Sequence, residues 1–206
     1  MATSEYIIKE TLSLFKRMGI RSVTMDMVAE QLGISKRTLY ELFPNKYDLL
    51  TACLNLDMEE MREKGKNTLS KGENILEKIV AVMYFHINAL KQYSPIFIHD
   101  LKKYYPEISC KNTNNVRQNI FYKIVELIEI GKKEQVFRSD INSDISAKLL
   151  MEQFKLVQDE SFFPSERYPY AVVFEHIAIN FIRGIATIKG LELIDIYYKK
   201  YKNNEV

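Results

Sequence analysis

Proline and glycine are scarce: five and seven in 206 residues. That excludes a collagen-like or Pro/Gly-rich disordered chain and argues against a sandwich or barrel with many tight turns; it favours long helices. Cysteine is scarcer still. Cys53 and Cys110 lie far apart and in no metal-ligand spacing, so the expectation is two reduced structural thiols in a reducing cytosol. Charge of one sign is also missing. A formal net charge of +2 rules out a polybasic chain, so any nucleic-acid binding must come from a local patch. Long apolar runs are absent: the longest, IVAVMYF at 79–85, cannot span a bilayer. The N-terminal MATSEYIIKETLSLF lacks a positive region followed by an apolar stretch, so it does not read as a secretory signal. No membrane association is expected, and the protein reads as cytoplasmic.

What is present is ordinary for a globular chain. Hydrophobic residues make up 47 % and charged residues 27 %, enough for one sizeable core or two modest domains. Helical periodicity runs throughout, with no sustained strand alternation. Residues 4–18 place Ile8, Leu12, Phe15 and Met18 on one stripe, and Gly19 stops the helix. A second helix follows Thr24, a good N-cap, with Val23 and Val28 spaced as a hydrophobic staple; Gly33 ends it. A third starts after Ser35, stapled by Ile34 and Leu39. Leu39, Leu42 and Phe43 are its expected buried face, and Pro44 stops it. Asn45 can cap a fourth helix, with Asp48 favouring its positive end. Later helices are expected over roughly 73–92, 95–105, 114–135, 144–160 and 168–189. Breaks are expected at Gly65 to Gly72, Ser94-Pro95, Pro106, Phe137 to Ser143, Pro164 to Pro169 and after Gly190. The reading is all-α: an N-terminal three-helix helix-turn-helix domain at 1–50, joined through the fourth helix to a larger helical bundle at 51–206.

Two short helices joined by a tight turn at Gly33 form a helix-turn-helix pattern, whose second helix commonly reads the DNA major groove. At about 100° per residue, Leu42 and Phe43 fall within about 60° of Leu39. Arg37 and Glu41 then lie nearly opposite, flanked by Thr38 and Tyr40. Arg can pair with guanine O6 and N7, Glu can accept from cytosine N4, and a Thr methyl can meet a thymine methyl. Lys36 and Lys46 stand at helix N-termini, where free N–H groups already favour phosphate. The Thr24 hydroxyl is placed for the same task.

The run VTMDMVAEQLGISKRTLYELFPNKYDLL resembles the N-terminal domain of TetR-family transcriptional regulators. The residues that carry the resemblance are Thr24, Ala29, Gly33, Ser35, Tyr40, Phe43 and Lys46, within a match of about residues 4–55. A weaker resemblance lies in IEIGKKEQVFRSDIN at 128–142. The resemblance implies a homodimer that binds a roughly palindromic double-stranded operator and represses transcription until a small-molecule effector binds. By the same analogy Thr24, Ser35, Lys36, Arg37, Thr38, Tyr40 and Lys46 form the DNA site, with Tyr40 and Lys46 mainly on phosphates. It further implies that the last two long helices form the dimer interface. Here those are 144–160 and 168–189, with Ala178, Gly184 and Ala186 permitting close approach.

The middle of the chain is dense in aromatics, which suits an apolar ligand cavity as well as plain core packing. Tyr84, His86, Tyr93, Phe97, Phe121 and Phe154 are the candidate effector residues. No cofactor or metal site is expected, since no HExxH or similar ligand spacing occurs. No nucleophile sits beside a base in a recognised motif, so an enzyme, for instance an all-α hydrolase, has little support; a helical protein-binding adaptor is the third reading.

Overall fold

The computed structural model describes residues 3–110, 113–157, 159 and 161–203, with the side chains of 109, 110, 113–116 and 203 left aside. The Cys110 side chain therefore lies outside the described residues. Among these residues the chain forms eleven helices and no strand, apart from one isolated bridge between Phe137 and Ala186. The helices are α1 (Ser4–Met18), α2 (Met25–Gln31), α3 (Lys36–Leu42), α4 (Lys46–Lys71), α5 (Ile75–Lys91), α6 (Pro95–Tyr104), α7 (Pro106–Cys110), α8 (Thr113–Lys133), α9 (Ser143–Leu156), α10 (Tyr170–Ile185) and α11 (Ile188–Asn203). None is long and apolar enough to cross a membrane. Two compact units emerge. One comprises Met1–Lys64 and Gln92–Lys111, the other Gly65–Lys91 and Asn112–Val206.

The first unit is built on local caps. The Thr24 hydroxyl accepts from the Met27 N–H at 3.1 Å, and the Ser35 hydroxyl from the Thr38 N–H at 3.0 Å. Asn45 Oδ1 caps α4 by accepting from the Asp48 N–H at 3.0 Å, and its side-chain amide in turn donates to the Asp48 carboxylate at 2.9 Å. Each bond from a backbone N–H satisfies a donor that the first helical turn leaves free. The core gathers Ile7, Phe15, Ile20, Val23, Leu39, Leu49, Leu50, Cys53 and Phe97. Phe97 comes from α6, so that helix belongs to the same core as the helix-turn-helix. Polar groups reinforce the join. Buried Asp100 of α6 accepts the Arg21 backbone N–H at 2.8 Å. Asp57 of α4 accepts from Lys16 of α1 at 2.7 Å and from the Tyr93 hydroxyl. Burial pushes the Cys53 thiol up to about 12, so it stays a protonated packing group.

The second unit packs α5, α8, α10 and α11 around Leu76, Val80, Ile87, Ile128, Phe137, Ile182 and Ile194. Polar side chains tie α11 down. Buried Glu77 accepts from Lys200 at 2.6 Å and from the Glu73 N–H at 2.8 Å. Glu175 accepts from the hydroxyls of Tyr84 and Tyr198 at 3.0 and 2.8 Å. Phe154 of α9 stacks on Phe174 of α10 with ring centroids 4.5 Å apart.

Several sequence expectations need correction. No break occurs at Gly65: α4 runs through it to Lys71, because the residues around it are good helix formers and one glycine costs only about 1 kcal/mol. The stretch 168–189 is not one helix. It splits at Ala186-Thr187, where the Arg138 N–H donates to the Ile185 carbonyl and the Thr187 N–H to the Val136 carbonyl. Gly190 does not end a helix but lies in the first turn of α11, its N–H capped by Thr187 at 3.1 Å. A Cβ there would stand 2.1 Å from the Val136 carbonyl oxygen, so close backbone approach explains this glycine. The buried face of α1 centres on Ile7, Thr11 and Phe15, leaving Met18 exposed. On α3, Leu39 and Phe43 are buried, but Leu42 is 44 % exposed. Leu39 is the one buried residue within this seven-residue helix, so α3 buries a narrower arc than about 60° to either side. The segment expected to end at 160 ends its helix at Leu156.

Candidate nucleic-acid interface

The turn between α2 and α3 is closed by Gly33 at φ +62, a conformation that side chains resist. Its position lets the Ile34 N–H return to the Ala29 carbonyl at 3.0 Å. Buried Leu39 then anchors α3 by one face. The opposite face is open. The Arg37 side chain is 88 % exposed, and its Nε–H donates to Glu41 Oε1 at 2.8 Å, one turn along the helix. Tyr40 is 46 % exposed beside it. Thr38 shares a 2.8 Å hydroxyl–hydroxyl hydrogen bond with Ser35, so Ser35 acts locally as the cap that sets the helix start.

The lysines behave differently from one another. Lys36 reaches across to Asp26 of α2 at 2.7 Å, and this hydrogen bond and charge hold its ammonium above the ordinary lysine value. Lys46, in the first turn of α4, is half-buried. Its ammonium lies 3.4 Å from the Arg21 carbonyl, and burial lowers its pKa. Thr24, Lys36, Arg37, Thr38 and Tyr40 are exposed on α3 or at the start of α2, and Lys46 sits at the start of α4. Sequence reasoning missed Asp26 as the partner of Lys36, since the two are ten residues apart and no helical spacing links them. It also missed Asp100, which steadies the α1–α2 loop from α6.

The candidate effector residues divide between the two units. Tyr93 and Phe97 belong to the first, with rings 5.4 Å apart; Phe97 is fully buried and Lys16 lies 4.5 Å over the Tyr93 ring. Tyr84, His86, Phe121 and Phe154 belong to the second. There Tyr84 is buried against Tyr198, His86 is exposed beside Phe85, and Phe121 is half-buried with the Lys148 ammonium 5.6 Å from its ring. Among the described residues, no group of three His, Cys, Asp or Glu side chains is placed to hold a metal ion.

Comparison with known proteins assigns this arrangement. Residues 7–53, which contain α2, the turn and α3, match the family described as bacterial regulatory proteins, tetR family. An uncharacterised HTH-type transcriptional regulator of Bacillus subtilis, YvaF, is 24 % identical over 180 residues, covering 87 % of this chain and 93 % of the relative. The HTH-type transcriptional repressor KstR of Rhodococcus jostii is 35 % identical over 77 residues, 37 % of this chain and 35 % of KstR. The fold matches a solved TetR-family transcriptional regulator from Marinobacter aquaeolei VT8 with a TM-score of 0.70 at 18 % identity, over 98 % of this chain and 99 % of the other. A helix-turn-helix with an exposed α3 face, that family match and the shared fold give one conclusion: residues 7–53 belong to the tetR family of bacterial regulatory proteins, within a chain that shares its fold over almost the whole length with a solved TetR-family regulator.

Proposed function

We propose that this regulator acts as a cytoplasmic homodimeric repressor, binding a palindromic operator and leaving it when a small molecule binds the second unit. The observation that carries the DNA reading is the exposed face of α3, with Arg37 directed away from the buried Leu39. Arg37 and Thr38 are assigned to base edges; Thr24, Lys36, Tyr40 and Lys46 are assigned to phosphates, and Ser35 positions the helix start. Two copies would place their reading helices in successive grooves, about 34–36 Å apart or a multiple of it.

Support for the dimer comes from α9, where Ile145, Leu149 and Leu156 are exposed at spacings of four and seven. On α10, Val172 is exposed and a Cβ on Gly184 would meet nothing within 4 Å, which leaves room for a second helix. Ala178 and Ala186 instead pack into the protomer's own core. For the effector, Tyr84, His86, Phe121 and Phe154 are the candidate contacts. The polar group available for orientation is Glu175, with its tyrosine partners. Because α4 contributes residues to both units, a shift of that helix is the route by which effector binding would alter DNA affinity. A coupling of about 1–3 kcal/mol changes affinity roughly 5- to 150-fold.

Selection from random-sequence duplexes followed by gel shift tests the proposal. It predicts enrichment of an inverted repeat bound by one dimer. Recovery of no common sequence would refute it.

A further inference from the structure

The reading surface carries almost no spare positive charge. Between Thr24 and Lys46 there are three bases, Lys36, Arg37 and Lys46, against three acids, Asp26, Glu30 and Glu41. Both cations of α3 are paired: Lys36 with Asp26 at 2.7 Å and Arg37 with Glu41 at 2.8 Å. A surface that bound DNA by charge alone would leave such cations bare for phosphate. The two pairs also differ in kind. Asp26 holds a lysine ammonium, which has no preferred edge. Glu41 holds a guanidinium by one defined donor, Nε–H.

We propose that Glu41 is a specificity-determining positioning residue, which engages Arg37 through Nε–H and so leaves the Nη1/Nη2 edge as the one offered to DNA. The inference rests on the reading of α3 as the groove helix. A guanidinium has five N–H donors in a planar fork. With Nε–H taken, the two terminal nitrogens keep the parallel pair that fits O6 and N7 of one guanine. An untethered Arg37 samples other rotamers and can reach a phosphate through either edge, which rewards every sequence equally. The Glu41 carboxylate adds a second effect. It is itself exposed, so a misregistered complex that brings it against phosphate is disfavoured. Glu41 thus trades total affinity for discrimination.

The test uses the full-length protein, the operator recovered by selection, that operator with single-base replacements, and random duplex. The guanine that Arg37 reads is the position at which Arg37→Ala loses base preference. There, Glu41→Ala is expected to lower the preference by roughly 3- to 10-fold while raising affinity for random duplex. Glu41→Gln keeps an amide oxygen to accept Nε–H, so it retains the preference but gains affinity for all duplexes. Asp26→Asn, the charge-only control, strengthens binding to all duplexes alike and leaves preference unchanged. The proposal is overturned if Glu41→Ala keeps the parent's preference at that position, or loses preference evenly across the whole operator as a misfolded domain would. It is also overturned if Arg37→Ala alters no base preference although the parent still selects an operator. If the parent selects no sequence at all, the groove-helix reading falls first and the role of Glu41 with it.

Discussion

Gly19→Ala is the perturbation whose size follows most directly from the geometry. Gly19 ends α1 at φ +82 and ψ 157, a region almost reserved for glycine. An alanine held there costs roughly 1–3 kcal/mol in backbone strain. Its Cβ would stand 3.0 Å from Ile96 Cγ2 and 3.1 Å from Asp100 Oδ2. Ile96 is exposed and can yield. Asp100 is buried and fixed by the Arg21 N–H, so moving it strains a bond that orders the α1–α2 loop. The substitution gains no helix propensity in return, because Gly19 lies outside the helix. The sum is a destabilisation of about 2–4 kcal/mol. The contrast is Gly65→Ala, inside α4, where the nearest atom to the new Cβ is Phe85 Cε1 at 3.8 Å. That contact is ordinary, so helix propensity dominates and stability rises by up to about 1 kcal/mol. Urea unfolding followed by circular dichroism reads both. For a chain of this length, 2 kcal/mol lowers Tm by roughly 4–8 °C. A Gly19→Ala protein within about 0.5 kcal/mol of the parent would refute the reasoning; so would a Gly65→Ala protein less stable than Gly19→Ala.

Two further predictions concern the second unit. Hydrogen bonds from Lys200 and from the Glu73 backbone N–H hold the Glu77 carboxyl below its ordinary value. A depressed folded pKa means that Glu77 contributes fully above about pH 4.3 and loses that contribution as pH falls through the folded value. Glu77→Gln is therefore expected to flatten the acid limb of stability in urea titrations below about pH 5, and an unchanged limb would contradict the assignment. Leu149→Glu places a charge in the exposed apolar stripe of α9. Sedimentation velocity is expected to show a shift from dimer to monomer, with operator affinity falling alongside it; a dimer that persists at low micromolar concentration would remove α9 from the interface.

How much could be read from the chain depended on range. Thr24, Ser35 and Asn45 were legible as caps because each bonds a backbone N–H three residues away. The outward placement of Arg37, Tyr40 and Glu41 followed from helical angles once Leu39 was fixed as the anchor. Long-range contacts decided what was not legible. Gly65 and Gly190 both look like helix stops, yet one is carried through an otherwise favourable helix and the other is required by the Val136 carbonyl. The split at Ala186-Thr187 has no proline or glycine to announce it. Backbone bonds to Val136 and Arg138, some fifty residues upstream, create it. In the same way, nothing in the spacing of α6 says that Phe97 and Asp100 complete the core beneath the helix-turn-helix. The pairing of Lys36 with Asp26 was hidden for that reason, whereas Arg37 and Glu41, four apart on one helix, could have been paired from the start.

The account stands or falls on the exposed face of α3 reading bases. Binding of the Arg37→Ala and Lys46→Ala proteins to the selected operator and to a scrambled duplex, titrated over a range of salt, measures this most directly. Arg37→Ala is predicted to cost about 1–3 kcal/mol on the operator and little on the scrambled duplex, relaxing preference at one position per half-site. Lys46→Ala is predicted to weaken both duplexes alike and to reduce the salt slope by about 1. Equal loss of selectivity in the two proteins, or an Arg37→Ala protein that discriminates as well as the parent, would contradict it.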